Sequence, residues 1–385
     1  MQTFLSFEWK RFWGDIKNKV AFLILIGLSL YLVFGVEKKF EAVRSFDTEP
    51  IEASYQDASY FLDTREAELY PRSFKAFGEI KEVSGELLQA LEQEDYREAI
   101  PLEREYQGLM MDRYRSQDPR YYLYGGRHYD RGRLQSYDQS TYILYSEYLL
   151  ESNLALSQEI LEGKTVGQSL ARAWSGVMPL LFVVLALVFS IDFFASDSKH
   201  RTLADAFPLS TYKKSWLRTG VSWSATALSL LIGELVFIFS LSFFRPWGGI
   251  DLMVDGIINP LSVLAFLLEA HLLLFLAVLI LLRITSWAGE LFRNSLVPIL
   301  LIPSFILTYL LELSRSEEFG NYFEWIPLSF IQPGDIVSGF QSFWQDNSVF
   351  TFGHELFLLG IGLLLIEIMI YFSFKIKEKN KEVAK

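Results

Sequence analysis

Gly163-Lys164-Thr165 carries the residue types that close a phosphate-binding loop, where backbone amides wrap a nucleotide's phosphates. That chemistry needs another glycine five residues earlier, and the position is Gln158. The segment also follows a helical pattern where a strand is required, so Gly163 is expected to end a helix. Neither Gly-x-Ser-x-Gly nor His-Glu-x-x-His occurs, and His128, His200, His271 and His354 show no ligand spacing. The chain has no cysteine, hence no disulfide and no thiolate metal site. No catalytic residue and no metal site is expected.

The ionisable residues that stand out lie inside apolar blocks. Glu234, Glu269 and Glu367 each fall well within such a stretch, where lipid makes a charge costly enough to mark a pathway. His271 lies two residues from Glu269, so the two face nearly opposite ways on a helix and are not a pair. These four residues could line a cation or proton route, or form the polar wall of a substrate cavity. The plainer alternative is that the acids are protonated, or hydrogen-bonded between helices as packing devices.

The elements that must hold them are blocks able to cross a bilayer core about 30 Å thick, which takes about 20 helical residues. The chain is 51% hydrophobic, and its apolar residues collect into six blocks: 20–36, 173–191, 219–244, 256–282, 294–311 and 356–374. Pro298 and Pro303 in the fifth are tolerable where neighbouring helices satisfy the freed carbonyls. The first block reads as a retained anchor, because Phe34-Gly35-Val36-Glu37 offers no small-x-small cleavage site. The expected fold is an all-α polytopic membrane protein with six transmembrane helices.

Lys and Arg near short loops set orientation. Segments 1–19, 192–218, 283–293 and 375–385 hold 16 of them, whereas 245–255 and 312–355 hold only Arg245 and Arg315. Both termini are therefore expected in the cytoplasm of a multi-pass protein of the cell membrane. Residues 37–172 fall outside, as an extracytoplasmic domain with 26 Asp/Glu against 17 Lys/Arg and 14 of the 19 tyrosines. Phe74, Phe77, Ile80, Val83, Leu87 and Leu91 recur at helical steps, as do Tyr142, Tyr145, Leu149, Leu156 and Ile160. Pro50, Pro71, Pro101 and Pro119 are expected to separate the helices, and 121–133 to be a loop. An acidic, Tyr-rich face could bind a cationic peptide, although acids also simply solvate a domain.

Two cytoplasmic segments carry unpartnered apolar faces. On a helix over 1–19, Leu5, Trp9, Phe12, Trp13 and Ile16 fall within about 100° of arc, while Glu8, Lys10, Arg11, Asp15 and Lys17 face elsewhere. Tryptophans beside basic residues suit a helix lying in the interface plane of the bilayer. In the loop 192–218, Leu203, Ala206 and Phe207 share a face on a short helix that Pro208 ends. Such a face needs lipid or a partner to cover it.

An amphipathic N-terminal helix, six spans and a loop reading Thr202-Leu203, then Pro208-Leu209-Ser210, resemble the membrane subunit of a type-2, exporter-class ABC transporter. Arg201 stands where that family often has glycine. Pro327-Leu328-Ser329 and Gln332-Pro333-Gly334 are similar to the Pro-rich segment such permeases fold back before the last span. The resemblance covers roughly 1–36 and 173–380 in topology and leaves the outer domain aside. It implies an ATPase-coupling helix at Thr202, Leu203, Ala206, Phe207, Pro208 and Leu209. It also implies a cytoplasmic ATPase subunit holding ATP and Mg, a second permease copy, and no cofactor on this chain. Glu234, Glu269, His271 and Glu367 would line the translocation cavity for an amphiphilic or peptide-like substrate, such as an antimicrobial peptide or a drug. Cation export through the glutamates and a membrane-anchored sensor with an outer receptor domain are the alternatives. No nucleic acid is expected among the partners.

Overall fold

The structure, a computed structural model, describes residues 2–40, 46–64, 71–115, 133–191, 207–292, 296–310, 332–346 and 348–383. Among these residues it is all helical, with no strand and a single antiparallel bridge between Met253 and Ser262.

Helix α1 spans Gln2–Gly14 and α2 spans Ile16–Tyr31. The break between them has a local cause. Asp15 takes an extended conformation and its carboxylate accepts from the Lys17 amide at 2.8 Å, capping α2. Asn18 Nδ2 then donates to the Phe12 carbonyl at 2.9 Å across the elbow. The one helix expected over 1–19 is therefore two, and Ile16 belongs to the second. α2 runs on through a π turn, Leu32–Val36, and a 3-10 turn, Glu37–Lys39.

α3 (Thr48–Leu62), α4 (Pro71–Glu92), α5 (Tyr96–Arg115) and α6 (Arg133–Glu151) form a helical unit between the first and second apolar blocks. Its core joins Ile51, Ala58 and Phe61 of α3 to Phe77, Ile80 and Leu87 of α4, with Tyr145 and Leu149 from α6. The prolines do not mark every break. Pro71 opens α4, where a missing N–H costs nothing, but Pro101 lies inside α5. The turn before α5 is made instead by Glu94, whose φ of 54° is left-handed. Pro119 and the expected loop up to residue 132 lie outside the described residues.

α7 (Gln158–Leu161) ends on Gly163, at φ 61°. The Gly163 amide donates to the Ile160 carbonyl at 3.2 Å and the Lys164 amide to the Glu159 carbonyl at 2.7 Å, a double-bonded helix stop. Thr165 then caps α8 (Val166–Ser175), its hydroxyl accepting from the Gln168 amide at 3.3 Å. Gly-Lys-Thr thus ends one helix and starts the next.

The remaining helices are α9 (Met178–Ser190), α10 (Thr211–Leu241), α11 (Val263–Phe292), α12 (Leu296–Leu310), α13 (Pro333–Val337), α14 (Phe340–Gln345) and α15 (Phe352–Val383). Among the described residues, four stretches are long and apolar enough to cross a membrane: Ile16–Lys39, Thr211–Leu241, Val263–Gly289 and Phe352–Ile376. The pair Gln158–Ser175 and Met178–Ser190, bent by 58°, makes a fifth when counted as one span. The chain is a multi-pass helical membrane protein.

That is four or five candidate spans among the described residues, where six were expected. The second block is bent, and the fifth is represented by the 15 residues of α12, fewer than the roughly 20 a crossing takes. The fourth starts at Val263, because 256–262 belong to a connector folded against its neighbours, and it runs on through Arg283.

Trp174, Phe182, Phe237, Phe266, Leu273 and Leu282 are buried in the core between these helices. The connector between α10 and α11 sends Leu252 and Met253 into the other core, that of the helical unit.

Candidate functional site: polar clusters between the membrane helices

Glu234 of α10 is buried at the level where α8 meets the bundle. Trp174 Nε1 of α8 donates to its Oε1 at 2.6 Å, and His271 Nε2 of α11 lies 2.9 Å from the same oxygen. The Trp174 indole is wholly buried and its ring centroid stands 4.0 Å from that of His271. Gly233 lets α2 approach here: a Cβ on it would sit 3.1 Å from Ser29 Oγ. Glu269 and His271 do not pair, as their spacing requires; the partner of His271 is Glu234, on another helix. Glu269 is half-buried and forms no ion pair among the described residues.

Glu367 of α15 is held at a different level. Arg283 of α11, fully buried, donates from Nε at 2.5 Å and from Nη2 at 3.0 Å to its two oxygens. Trp216 Nε1 and the Tyr212 hydroxyl of α10 donate to Oε2 at 3.0 and 2.9 Å. The guanidinium lies 4.3 Å from the Trp216 ring centroid and bonds Ser215 Oγ at 3.0 Å. Three side chains from two helices thus converge on one carboxylate from a third. His271 and Arg283 are twelve residues apart on α11, which at 1.5 Å per residue is roughly 18 Å. Glu234 and Glu367 therefore sit at different levels of the bundle. Each is met by a basic side chain from a neighbouring helix.

No family model, curated protein or solved structure matches this chain.

α1 packs along α10 with a buried face that shares only Phe12 with the expected apolar stripe. Phe4, Glu8 and Phe12 are buried, whereas Leu5 and Ile16 are exposed and Trp9 and Trp13 are half-buried against the core. Glu8 was assigned to the polar side. It is instead the centre of the contact, bonded to Arg218 Nε of α10 at 3.1 Å and to Arg11 at 2.6 Å. A carboxylate held between two guanidiniums can be buried despite its charge.

Phe207 packs onto the same helix. Its ring lies 5.1 Å from Phe4, edge-on, and 5.8 Å from Phe7. Lipid or a partner was the expected cover for this ring; the chain's own N-terminal helix packs against it and leaves it half-buried. Pro208 is exposed and Leu209 half-buried, while Thr202, Leu203 and Ala206 lie outside the described residues, as do Pro327, Leu328 and Ser329. Gln332, Pro333 and Gly334 are described. Gly334 packs so closely on α8 that a Cβ would stand 2.5 Å from the Trp174 carbonyl.

A third cluster was missed because its charges were used only as span boundaries. Glu37, at the end of α2, bonds Arg172 of α8 at 2.9 Å and Arg245, just beyond α10, at 3.0 Å. Both guanidiniums also reach Ser169 Oγ, and Arg172 lies 3.7 Å over the Phe40 ring. Burial lowers the Arg245 guanidinium from its ordinary value; Glu37 pulls it back, and Arg172 adds to the lowering. The available signal was three opposite charges, each ending an apolar block on the same expected side.

Proposed function

We propose that this chain is the permease subunit of a type-2, exporter-class ABC transporter. It dimerises, binds a cytoplasmic ATPase that carries ATP and Mg, and moves an amphiphilic or peptide-like substrate outward. The observation that supports the reading is the contact of Phe207 with Phe4 and Phe7 beside the Glu8–Arg218 ion pair. A segment pressed by an ATPase around Leu203–Leu209 would move α1 and α10 with it, since aromatic contacts and a buried ion pair join all three. The glutamates favour an amphiphile over a cation: Glu234 and Glu367 are already matched by His271 and Arg283. A hydrated cation would have to displace those partners.

The test is purification of the tagged chain from its own cells, followed by reconstitution into vesicles. An ATPase subunit with a complete Gly-x-x-x-x-Gly-Lys-Ser/Thr loop should co-purify, crosslink through Leu203→Cys, and hydrolyse ATP faster with an amphiphilic peptide. A chain that is isolated intact without such a subunit, and whose vesicles hydrolyse no ATP, would end this reading.

A further inference from the structure

His271 lies between two oxygens. Its Nδ1 is 2.6 Å from the Leu267 carbonyl and its Nε2 is 2.9 Å from Glu234 Oε1. A carbonyl oxygen only accepts, so Nδ1 carries a hydrogen. A neutral imidazole then has none left for Nε2, which would aim a lone pair at a carboxylate. The contact needs one more proton, held either by Nε2 as imidazolium or by Glu234 as carboxylic acid. Switching tautomer does not help, because it moves the same clash to Leu267.

We propose that Glu234 and His271 form a one-proton binding site between α10 and α11, and that release of the proton parts the two helices at this level. The ligand is the proton itself. The surroundings hold the pair and supply no substitute charge. From α8, Trp174 Nε1 donates to the same Oε1 at 2.6 Å, and from α9, Phe182 stacks on Trp174. From α2 comes Ser29, beside Gly233; on α11, Phe275 stands 5.8 Å from the imidazole and Glu269 bonds neither partner. Among the described residues no other charged side chain bonds either partner. With the side chains only 8% and 17% exposed, water is poorly placed to replace the missing hydrogen. The proposal stands independently of the transporter reading.

The experiment uses the absence of cysteine in the chain. Leu235→Cys on α10 and Leu268→Cys on α11, exposed at 64% and 62%, receive spin labels, and their separation is measured in lipid nanodiscs across pH. The labels of the otherwise wild-type chain should move apart in alkaline buffer and return on acidification. His271→Gln offers the Glu234 carboxylate an amide hydrogen that does not titrate, while Trp174 keeps its bond to the same oxygen, so its separation should stay at the short value throughout. Glu269→Gln should keep the wild-type response. A wild-type separation indifferent to pH, or a His271→Gln separation that lengthens as the wild type does, overturns the proposal. Should His271→Gln not yield folded protein, Glu234→Gln replaces it, since it removes the carboxylate of the pair and its separation must not follow the wild-type profile.

Discussion

Arg283 and Glu367 face each other through two hydrogen bonds, 2.5 and 3.0 Å long, with the guanidinium wholly buried. Removing one member of such a pair strands the other, which costs about 3–5 kcal/mol. Glu367→Ala should therefore lower the yield and the thermal midpoint of the purified protein sharply. Replacing both, as Arg283→Met with Glu367→Leu, should recover most of the loss. A double variant as unstable as the single one would show that the pair's neighbours, and not its charges, set the cost.

Arg218 looks from its position like an ordinary charge at a membrane edge, where alanine would do little. Its ion pair with buried Glu8 and its place 5.8 Å from the Phe4 ring change that expectation. Arg218→Ala should loosen α1, making the segment before Gly14 quicker to be cut by protease while the rest of the chain stays intact. Phe207→Ala should do the same to a lesser extent, since an aromatic pair contributes about 0.5–1.5 kcal/mol beyond the area it buries.

Gly334 admits no side chain, because a Cβ would meet the Trp174 carbonyl at 2.5 Å and Ser175 at 2.6 Å. The obstacle is backbone, which cannot swing aside. Gly334→Ala should destabilise by about 1–3 kcal/mol, the range for an overpacked core. Gly353→Ala, where nothing lies within 4 Å, should leave the melting temperature unchanged.

Tyr145 gives the helical unit a limit in alkali. Burial pushes its hydroxyl well above the ordinary value, with Asp255 adding to the shift, while the hydroxyl donates to the Ile160 carbonyl at 2.7 Å. A raised pKa in the folded state means the stabilisation is complete below the unfolded value of about 10 and is lost as pH rises above it. Unfolding followed by tyrosine absorbance should steepen in that range. Tyr145→Phe should remove this pH dependence and lower stability at neutral pH through the lost hydrogen bond.

Orientation is open to direct labelling. Single cysteines at Ser140 and Ser198 should differ in intact cells: Ser140→Cys reacts with an impermeant maleimide, and Ser198→Cys reacts only after lysis. The opposite pattern would invert the positive-inside assignment.

The long apolar helices were legible because lipid tolerates few charges over a crossing length, so their composition alone marks them. The periodicity of Phe77, Ile80, Val83 and Leu87 likewise announced α4. What could not be read is pairing between helices. Arg283 follows an apolar block and so reads as the end of a span, while its partner Glu367 is 84 residues away. Glu234 stood out as a buried acid, but no periodicity points to His271 on another helix. Glu8 illustrates the same limit within one short helix. Its charge assigned it to the wet side, whereas Arg11 and Arg218 make it the most deeply held polar residue of α1. The bend after Ser175 had a local signal in Ser175-Gly176 and Pro179, but the absence of charge across the block outweighed it.

Leu252 and Met253 belong to the core of the helical unit although they follow α10 in the chain. The order of synthesis therefore matters. When α3 to α6 leave the ribosome, their core still lacks these two side chains, and the Tyr148 hydroxyl lacks the Asp251 carbonyl it will bond. At roughly 5–20 residues per second, several seconds pass before the missing segment arrives. During that interval the nascent unit carries an open apolar seam, closed only once α9 and α10 have entered the bilayer and brought the connector back. Completion of that core therefore waits for the connector, and so for the helices that precede it.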